Sequence, residues 1–376
     1  AKMIEDIKNF KKAFETRYSA IKAKPLAEKV LPTTDKLLSD VSTALKEQKI
    51  REALSAYKIA FGKLDDTQSE LDTLLATESQ RLSDDIVEKK KALAKWMKWD
   101  ISIAEKMVPV DTSFALANES FKSQSYDRSY LQYDKLVKNI EKIDQHIQET
   151  FTPKEGKSFT LGKIQMSFVW VPALKYWVGQ FEVTNGQYHQ FKAAHSSGKF
   201  KQFDMNGDKQ PVCQVSYLEA ISFCSWINEL SARQGILPEG VTFRLPSKKE
   251  WIAIASCGDD RKYPWGNEWP ATYGNFGNYE IFPKVWKLQG FNETHPTTCN
   301  VEKSGKNEWN IYGLAGNVWE WTSEKNSKSF HAVCGGGWDS CDKRLTQVDV
   351  GRNAFANPVE QYDNIGFRII LAPTEN

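Results

Sequence analysis

Asn310-Ile-Tyr-Gly-Leu-Ala-Gly-Asn-Val-Trp-Glu-Trp321 packs two glycines, an amide, a carboxylate and two tryptophans into twelve residues. Neither an amphipathic helix nor a plain alternating strand has that composition. A tight turn at Gly313 and Gly316 fits it, because glycine enters the left-handed backbone region without steric cost. That turn would feed a Trp-Glu-Trp strand. Glu320, between two large aromatics, is then either a solvent-facing carboxylate or a buried one. A buried one needs a metal, an arginine or backbone donors, since an unpaired interior charge is very costly.

Far upstream the composition is different. Residues 1–150 read as helix almost throughout. Glycine is nearly absent there, and proline is confined to Pro25, Pro32 and Pro109. Apolar residues recur every three or four positions, as in Leu37, Leu38, Val41, Leu45 and then Ile50, Leu54, Tyr57, Phe61, Leu64. Thr33-Thr34-Asp35 supplies capping oxygens for a second helix. A periodic stretch over 66–107 carries Trp96 and Trp99 on one face, where core packing is expected. Ala44–Tyr57 is weakly echoed by Ser120–Tyr133, each a polar turn leading into a helix with tyrosine. Two degenerate copies are fewer than a tetratricopeptide array needs. An antiparallel bundle or stalk is therefore expected, with a tetratricopeptide-like arrangement as the alternative.

The composition changes at Thr152-Pro-Lys-Glu-Gly156, so residues 151–157 read as a linker and 158–376 as a second domain. Glycine, proline and tryptophan rise together beyond it. Phe168–Val171 and Tyr176–Val183 carry strand signals. Two helices interrupt the strands, each opening on a Ser-x-x-Glu capping box, Ser216/Glu219 and Ser247/Glu250. The fold class expected is α+β: an all-α helical region followed by a loop-rich domain of short strands.

Bulk properties exclude several classes. Hydrophobic content of 40% and charged content of 26% are ordinary for a globular protein. A net charge of +2, without basic runs interleaved with aromatics, argues against a nucleic-acid surface. No stretch approaches the length of apolar chain that a membrane span needs. The chain opens Ala1-Lys2-Met3 without an apolar leader, and its start without methionine suggests either processing or excision from a longer chain. The six cysteines (Cys213, Cys224, Cys257, Cys299, Cys334 and Cys341) form no Cys-x-x-Cys pair, so a zinc site is not expected. One or two disulfides or six thiols fit equally well. His146, His189, His195, His295 and His331 lack the spacing of a metal cluster.

Six motifs then occur in order: Val178–Tyr188 (VGQFEVTNGQY), Phe243–Trp251 (FRLPSKKEW), Tyr263–Asn267 (YPWGN), Gly313–Thr322 (GLAGNVWEWT), Gly335–Trp338 (GGGW) and Ile365–Arg368 (IGFR). Over about residues 158–372 the chain closely resembles the formylglycine-generating enzyme (sulfatase-modifying factor) family. The resemblance implies a C-type-lectin-like fold. It also implies two cysteines spaced Cys-x4-Cys that bind copper(I), for which thiolates are suitably soft ligands. Counted from Gly335-Gly336, those positions are Ser340 and Leu345, and the serine of the family's Gly-Gly-Ser is Gly337. Copper is therefore not expected. A Cys334/Cys341 pair is the substitute to consider, against buried or disulfide-linked cysteines.

Two calcium sites are implied as well. One would use Gly316 and Val318 carbonyls with the Glu320 carboxylate, Gly313 replacing an acid or amide. The other would use Asn275, Phe276, Gln289 and Phe291, with Gln289 replacing an acid. Calcium prefers several anionic oxygens, so the first is expected to bind weakly and the second less well still.

Some proteins of the fold that the resemblance implies bind ligands through the segment between the Gly-Gly-x-Trp and Gly-Phe-Arg motifs. Here that segment offers Trp338, Asp339, Asp342, Lys343, Arg344, Gln347, Asp349, Asn353, Phe355, Gln361, Tyr362 and Asp363, aromatics among polar groups as contact surfaces favour. The expected function is a non-catalytic recognition module on a helical stalk within a larger signalling or secretion assembly. Its partner would be a protein or small molecule at the loop-rich face, with a protein partner on the helical region. The alternative is an oxygen-dependent oxidase of the wider family using a non-cysteine site. Iron held in an attached helical domain needs clustered histidines, and residues 1–150 contain only His146. The resemblance favours an extracytoplasmic setting slightly over a cytoplasmic one.

Overall fold

The computed structural model describes residues 50–277, 295–340, 342–348 and 354–374, with single positions before residue 50. The chain divides into two compact units, Ala1–His146 and Ile147–Asn376.

In the first unit, helix α1 (Ile50–Trp99) is followed by α2 (Ile101–Lys122) and α3 (Tyr126–Thr150). On α1, Leu71, Leu75, Leu82, Ile86, Leu93 and Trp96 are buried, at spacings of three, four and seven residues that keep one stripe facing inward. The expected periodic run over 66–107 is interrupted at Asp100. Its carboxylate accepts from the Ser102 amide at 2.8 Å and caps α2, ending one helix and starting the next. Lys90 reaches Asp111 at 2.5 Å across that corner, as an antiparallel return requires. Between α2 and α3, Gln124 takes a left-handed φ of 60°. The Tyr133 hydroxyl donates to Asn118 Oδ1 at 2.6 Å, and Ser79 and Ser129 hydroxyls lie 3.2 Å apart in the interior. At 50 residues α1 exceeds a whole tetratricopeptide repeat of about 34. An antiparallel bundle is what these helices form.

The second unit is built on two sheets. One runs β1 (Phe159–Leu161), β2 (Met166–Val171), β3 (Tyr176–Gly179), β11 (Ile370–Pro373) and β6 (Val241–Arg244), each pair antiparallel. The other runs β10 (Ile365–Gly366), β7 (Trp319–Lys325), β8 (His331–Cys334) and β9 (Phe355–Ala356), with β10 parallel to β7. A small hairpin, β4 (Lys199–Phe200) and β5 (Phe203–Asp204), stands apart. The architecture is α+β.

Both expected capping boxes are in place, on α5 (Tyr217–Gln234) and α6 (Lys248–Ala255). The short α4 (Asn185–His189) carries a third, Thr184 with Gln187, which the Ser-x-x-Glu pattern does not match. Residues 151–157 are tied into this unit: Phe151 is buried, and the Trp177 indole donates to the Lys157 carbonyl at 2.7 Å.

The core brings α6 between the sheets. Trp251 and Ile254 pack with Val171 and Val178 of the first sheet, Cys334 of the second, and Ile311 and Leu314 of the glycine turn. Each such side chain removed from water contributes about 1.5–3 kcal/mol. Ser247 anchors the start of α6, accepting from Glu250 N at 3.2 Å while Glu250 binds Arg244 at 2.7 and 2.8 Å. Ser247→Ala should lower stability by about 1 kcal/mol in urea unfolding, the usual worth of a cap. No change would mean that the Glu250 carboxylate alone holds the helix start.

Candidate functional site

The glycine turn is present as the composition requires, with φ of 70° at Gly313 and 86° at Gly316. Glu320 is buried, and its partner is an arginine. Arg368, also fully buried, donates from Nε to Glu320 Oε2 and from Nη2 to Oε1, both at 2.6 Å. The same guanidinium donates to the Tyr312 carbonyl at 2.6 Å and the Gly179 carbonyl at 3.2 Å. The Trp251 indole donates to Glu320 Oε2 at 2.7 Å. Arg368, Trp251 and Gly179 all belong to motifs visible in the sequence, but nothing in their spacing pairs them. A buried carboxylate calling for an arginine, beside an arginine flanked by apolar Phe367 and Ile369, was the available signal.

A second buried carboxylate lies against this pair. Glu182 accepts from Asn317 Nδ2 at 3.1 Å through Oε1, while its Oε2 has no hydrogen-bond partner among the described residues. A Cβ at Gly313 would overlap the Glu182 carboxyl group. Residue 313 is therefore glycine for a positive reason, because an acid from another segment fills the space its side chain would take. Burial, opposed by Arg368 and reinforced by Glu320, pushes the Glu182 carboxyl up to about 8.

On the second sheet a groove of about 370 Å³ is lined by Trp319, Val333, Leu345, Ala354, Phe355, Ala356, Tyr362, Asn364 and Ile365. Phe355 and Tyr362 of the expected binding face belong to it. Trp319 and Leu345 join them although the sequence reading left both out of that face. Tyr362 is held by its hydroxyl, which donates to Glu360 Oε2 at 2.8 Å and accepts from the Asn357 amide at 3.3 Å.

The other residues of the expected face are distributed differently. Trp338 is buried, its ring tilted 57° against Phe200 with centroids 4.8 Å apart, and its indole donates to the Asp363 carbonyl. It is a packing residue, seated in the turn after β8 with its ring removed from solvent. Asp339 is half-buried, with Oδ2 accepting from Asn364 Nδ2 at 2.9 Å and Oδ1 unpartnered among the described residues. Asp342 caps the 3-10 turn Lys343–Thr346 and pairs with exposed Arg344, whose Nε lies 2.8 Å away. Gln347 closes that turn. Gln361 donates to Glu219 Oε2 at 2.8 Å, fastening the 357–362 loop to the start of α5. Asp349 and Asn353 lie outside the described residues.

The profile of the sulfatase-modifying factor enzyme 1-like domain matches residues 154–373. The chain belongs to this family. Among curated relatives, the inactive Cα-formylglycine-generating enzyme 2 of Bos taurus is 29% identical over 42% of this chain and 49% of its own length. The formylglycine-generating enzyme of Thermomonospora curvata is 31% identical over 33% of this chain and 36% of its own. The chain thus spans about half or less of the length of these relatives. Among solved structures, Treponema denticola variable protein 1 aligns with 59% of this chain and 100% of its own at 20% identity and a TM-score of 0.45.

The donor sets do not fit the metals that the family resemblance implies. At the two copper positions stand Ser340, whose hydroxyl accepts from the Gly337 amide at 2.9 Å, and Leu345, a groove wall. Neither supplies a soft ligand. Cys334 is buried in β8, and Cys341 lies outside the described residues. For the Gly316, Val318 and Glu320 calcium set, both Glu320 oxygens already accept from Arg368, whose positive charge neutralises the carboxylate and repels a second cation. Asn275 and Phe276 are buried, the Asn275 carbonyl accepting from Asn317 N at 2.6 Å, while Gln289 and Phe291 lie outside the described residues. No group of three or more His, Cys, Asp or Glu suited to a metal occurs among the described residues. His189 and His195 come within 6.5 Å, but their ring nitrogens contact the carbonyls of His195 and Cys213.

Two outcomes follow. Arg368→Met strands the Glu320 charge in the interior and should cost about 3–5 kcal/mol in urea unfolding, while adding Glu320→Gln should return part of the loss. If the single and double variants unfold alike, the ion pair is not what the core depends on. Glu182 binds its proton more tightly folded than unfolded, so its contribution is full below its ordinary value of 4.5 and is lost as pH rises through about 8. Between pH 5 and 8 the wild type should therefore lose melting temperature relative to Glu182→Gln. The difference between the two proteins isolates this group, because burial holds His195 and His331 below their ordinary range and works in the opposite direction.

Proposed function

We propose that this chain is a non-catalytic recognition module. On this reading it is a pseudo-enzyme of the sulfatase-modifying factor family with a C-type-lectin-like fold, binding its ligand in the groove on the second sheet. The observation that carries the reading is the fate of the two copper positions. Ser340 is built into the turn beneath the triple glycine, and Leu345 has become an apolar wall of the groove. A copper oxidase of the family's kind needs redox-competent ligands at that place, whereas a binding site gains from an aliphatic surface. Trp319, Phe355 and Tyr362 add aromatic walls and Asn364 a polar group, the mixture that small-molecule and side-chain pockets favour.

The helical unit is the partner-docking stalk in this proposal. Ile101, Val108 and Leu116 stand 77%, 63% and 53% exposed on α2. At 100° per residue they share one side of the helix, which makes an apolar strip for another protein in a signalling or secretion assembly.

Oxygen uptake and ligand binding separate this reading from an oxidase with a different site. Protein incubated with copper or iron and with a cysteine-bearing peptide should consume oxygen at an electrode no faster than the same mixture without protein, and protein-dependent uptake there would overturn the proposal. Small aromatic and aliphatic fragments should shift the Trp319 indole resonance in NMR. Leu345→Glu should abolish those shifts while the melting temperature stays within a few degrees of wild type. Shifts that persist in Leu345→Glu would place recognition elsewhere.

A further inference from the structure

The groove has a charge that its lining does not display. Gly337 is the corner where this can be read. A Cβ built there would meet Asp339 Oδ1 at 2.9 Å, Trp319 Cδ1 at 3.0 Å and the Asn364 carbonyl at 3.2 Å. Trp319 and Asn364 line the groove, so Asp339 Oδ1 sits immediately behind its polar end. The other oxygen of Asp339 is held by the Asn364 amide at 2.9 Å, which fixes the carboxylate's orientation. Oδ1 itself is buried and has no hydrogen-bond partner among the described residues.

An unsatisfied carboxylate oxygen in a partly desolvated place is costly, and native structures rarely leave one without a purpose. The local field makes the cost larger. The nearby Asp363 is a second acid, and burial together with that neighbour raises the Asp339 carboxyl above its usual range. Arg344, the cation of this segment whose side chain is among the described ones, is already paired with Asp342. Every feature that destabilises an anion here stabilises a cation brought to it. The aromatic walls act in the same direction, since the faces of Trp, Tyr and Phe attract positive charge through their quadrupoles.

Resting on the recognition reading above, we propose that the ligand of this groove carries a cationic nitrogen beside an apolar body. The nitrogen, an ammonium or substituted ammonium, would meet Asp339 Oδ1 past Asn364. The aromatic or aliphatic body would lie against Leu345, Phe355 and Tyr362. Glycine at 337 serves this arrangement, because any side chain there would stand between Trp319 and the carboxylate. The occupant is then an amine, free or at the end of a side chain, and not a neutral apolar peptide segment.

Matched probes test it on the intact chain. Phenethylamine and 2-phenylethanol share an apolar body and differ in the charged nitrogen. Titrated by calorimetry or by the Trp319 resonance, the amine should bind wild type at least about tenfold more tightly than the alcohol, as a charge-assisted bond in a shielded site would give. Asp339→Asn should erase that gap and leave the alcohol's affinity unchanged. If amine and alcohol bind wild type alike, the cation proposal fails while the groove reading stands. If neither binds, both fail. The wild-type comparison decides even where Asp339→Asn does not fold, and persistence of the gap in a folded Asp339→Asn would overturn the role given to this carboxylate.

Discussion

The second unit depends on one buried ion pair. Arg368 and Glu320 are both removed from water, and each alone would be prohibitively unstable there. Their two parallel bonds offset most of that cost, and the remaining donors are used on backbone. The guanidinium holds the carbonyls of Tyr312 and Gly179, and the carboxylate takes the Trp251 indole. Five segments therefore meet at one charged point: β7, the end of β3, the glycine turn, α6, and the stretch between β10 and β11. Such loop-rich chain has few ladder bonds to fix its geometry. A bidentate pair with fixed angles supplies what regular secondary structure does not.

Glycine's role follows from that junction. Gly313 and Gly316 are required by their backbone angles, but they are also required by what stands against them. The Glu182 carboxyl occupies the space of a residue 313 side chain, and the Asn275 backbone occupies that of residue 316. The turn is thus a place where three chain segments press together, and a side chain at either glycine would separate them. Three polar groups, Glu182, Asn317 and Asn275, are stitched through the same region, Asn275 Nδ2 donating to Asn317 Oδ1 at 3.0 Å.

Much of this was legible in the sequence, and the unreadable part has a physical reason. Local signals were sound where the causes are local. Ser216/Glu219 and Ser247/Glu250 open their helices, the glycine turn forms, and Phe168–Val171 lies in a strand. Asp100 was missed as a cap because an acid within an otherwise periodic run looks like one more surface charge. The question posed by Glu320 was answerable only by a partner 48 residues away. Spacing carries no information about such a pair. The lining of the groove was half legible for the same reason. Phe355 and Tyr362 stand in the segment that composition singles out, whereas Trp338 is buried and Trp319 comes from another strand.

The separation between the junction and the groove bears on how such a chain can change its chemistry. Arg368, Glu320 and Trp251 fix the frame from within, and none of them lines the groove. Ser340 and Leu345 lie in the segment after the triple glycine, where one serves a turn and the other a surface. Exchanging thiolates for these residues removes redox ligands without touching the ion pair on which the frame depends. On the recognition reading proposed above, a domain built this way exchanges redox ligands for a binding surface at little cost in stability. The same independence leaves the groove, which takes Trp319 from the Trp-Glu-Trp strand, free to vary while the buried junction stays fixed.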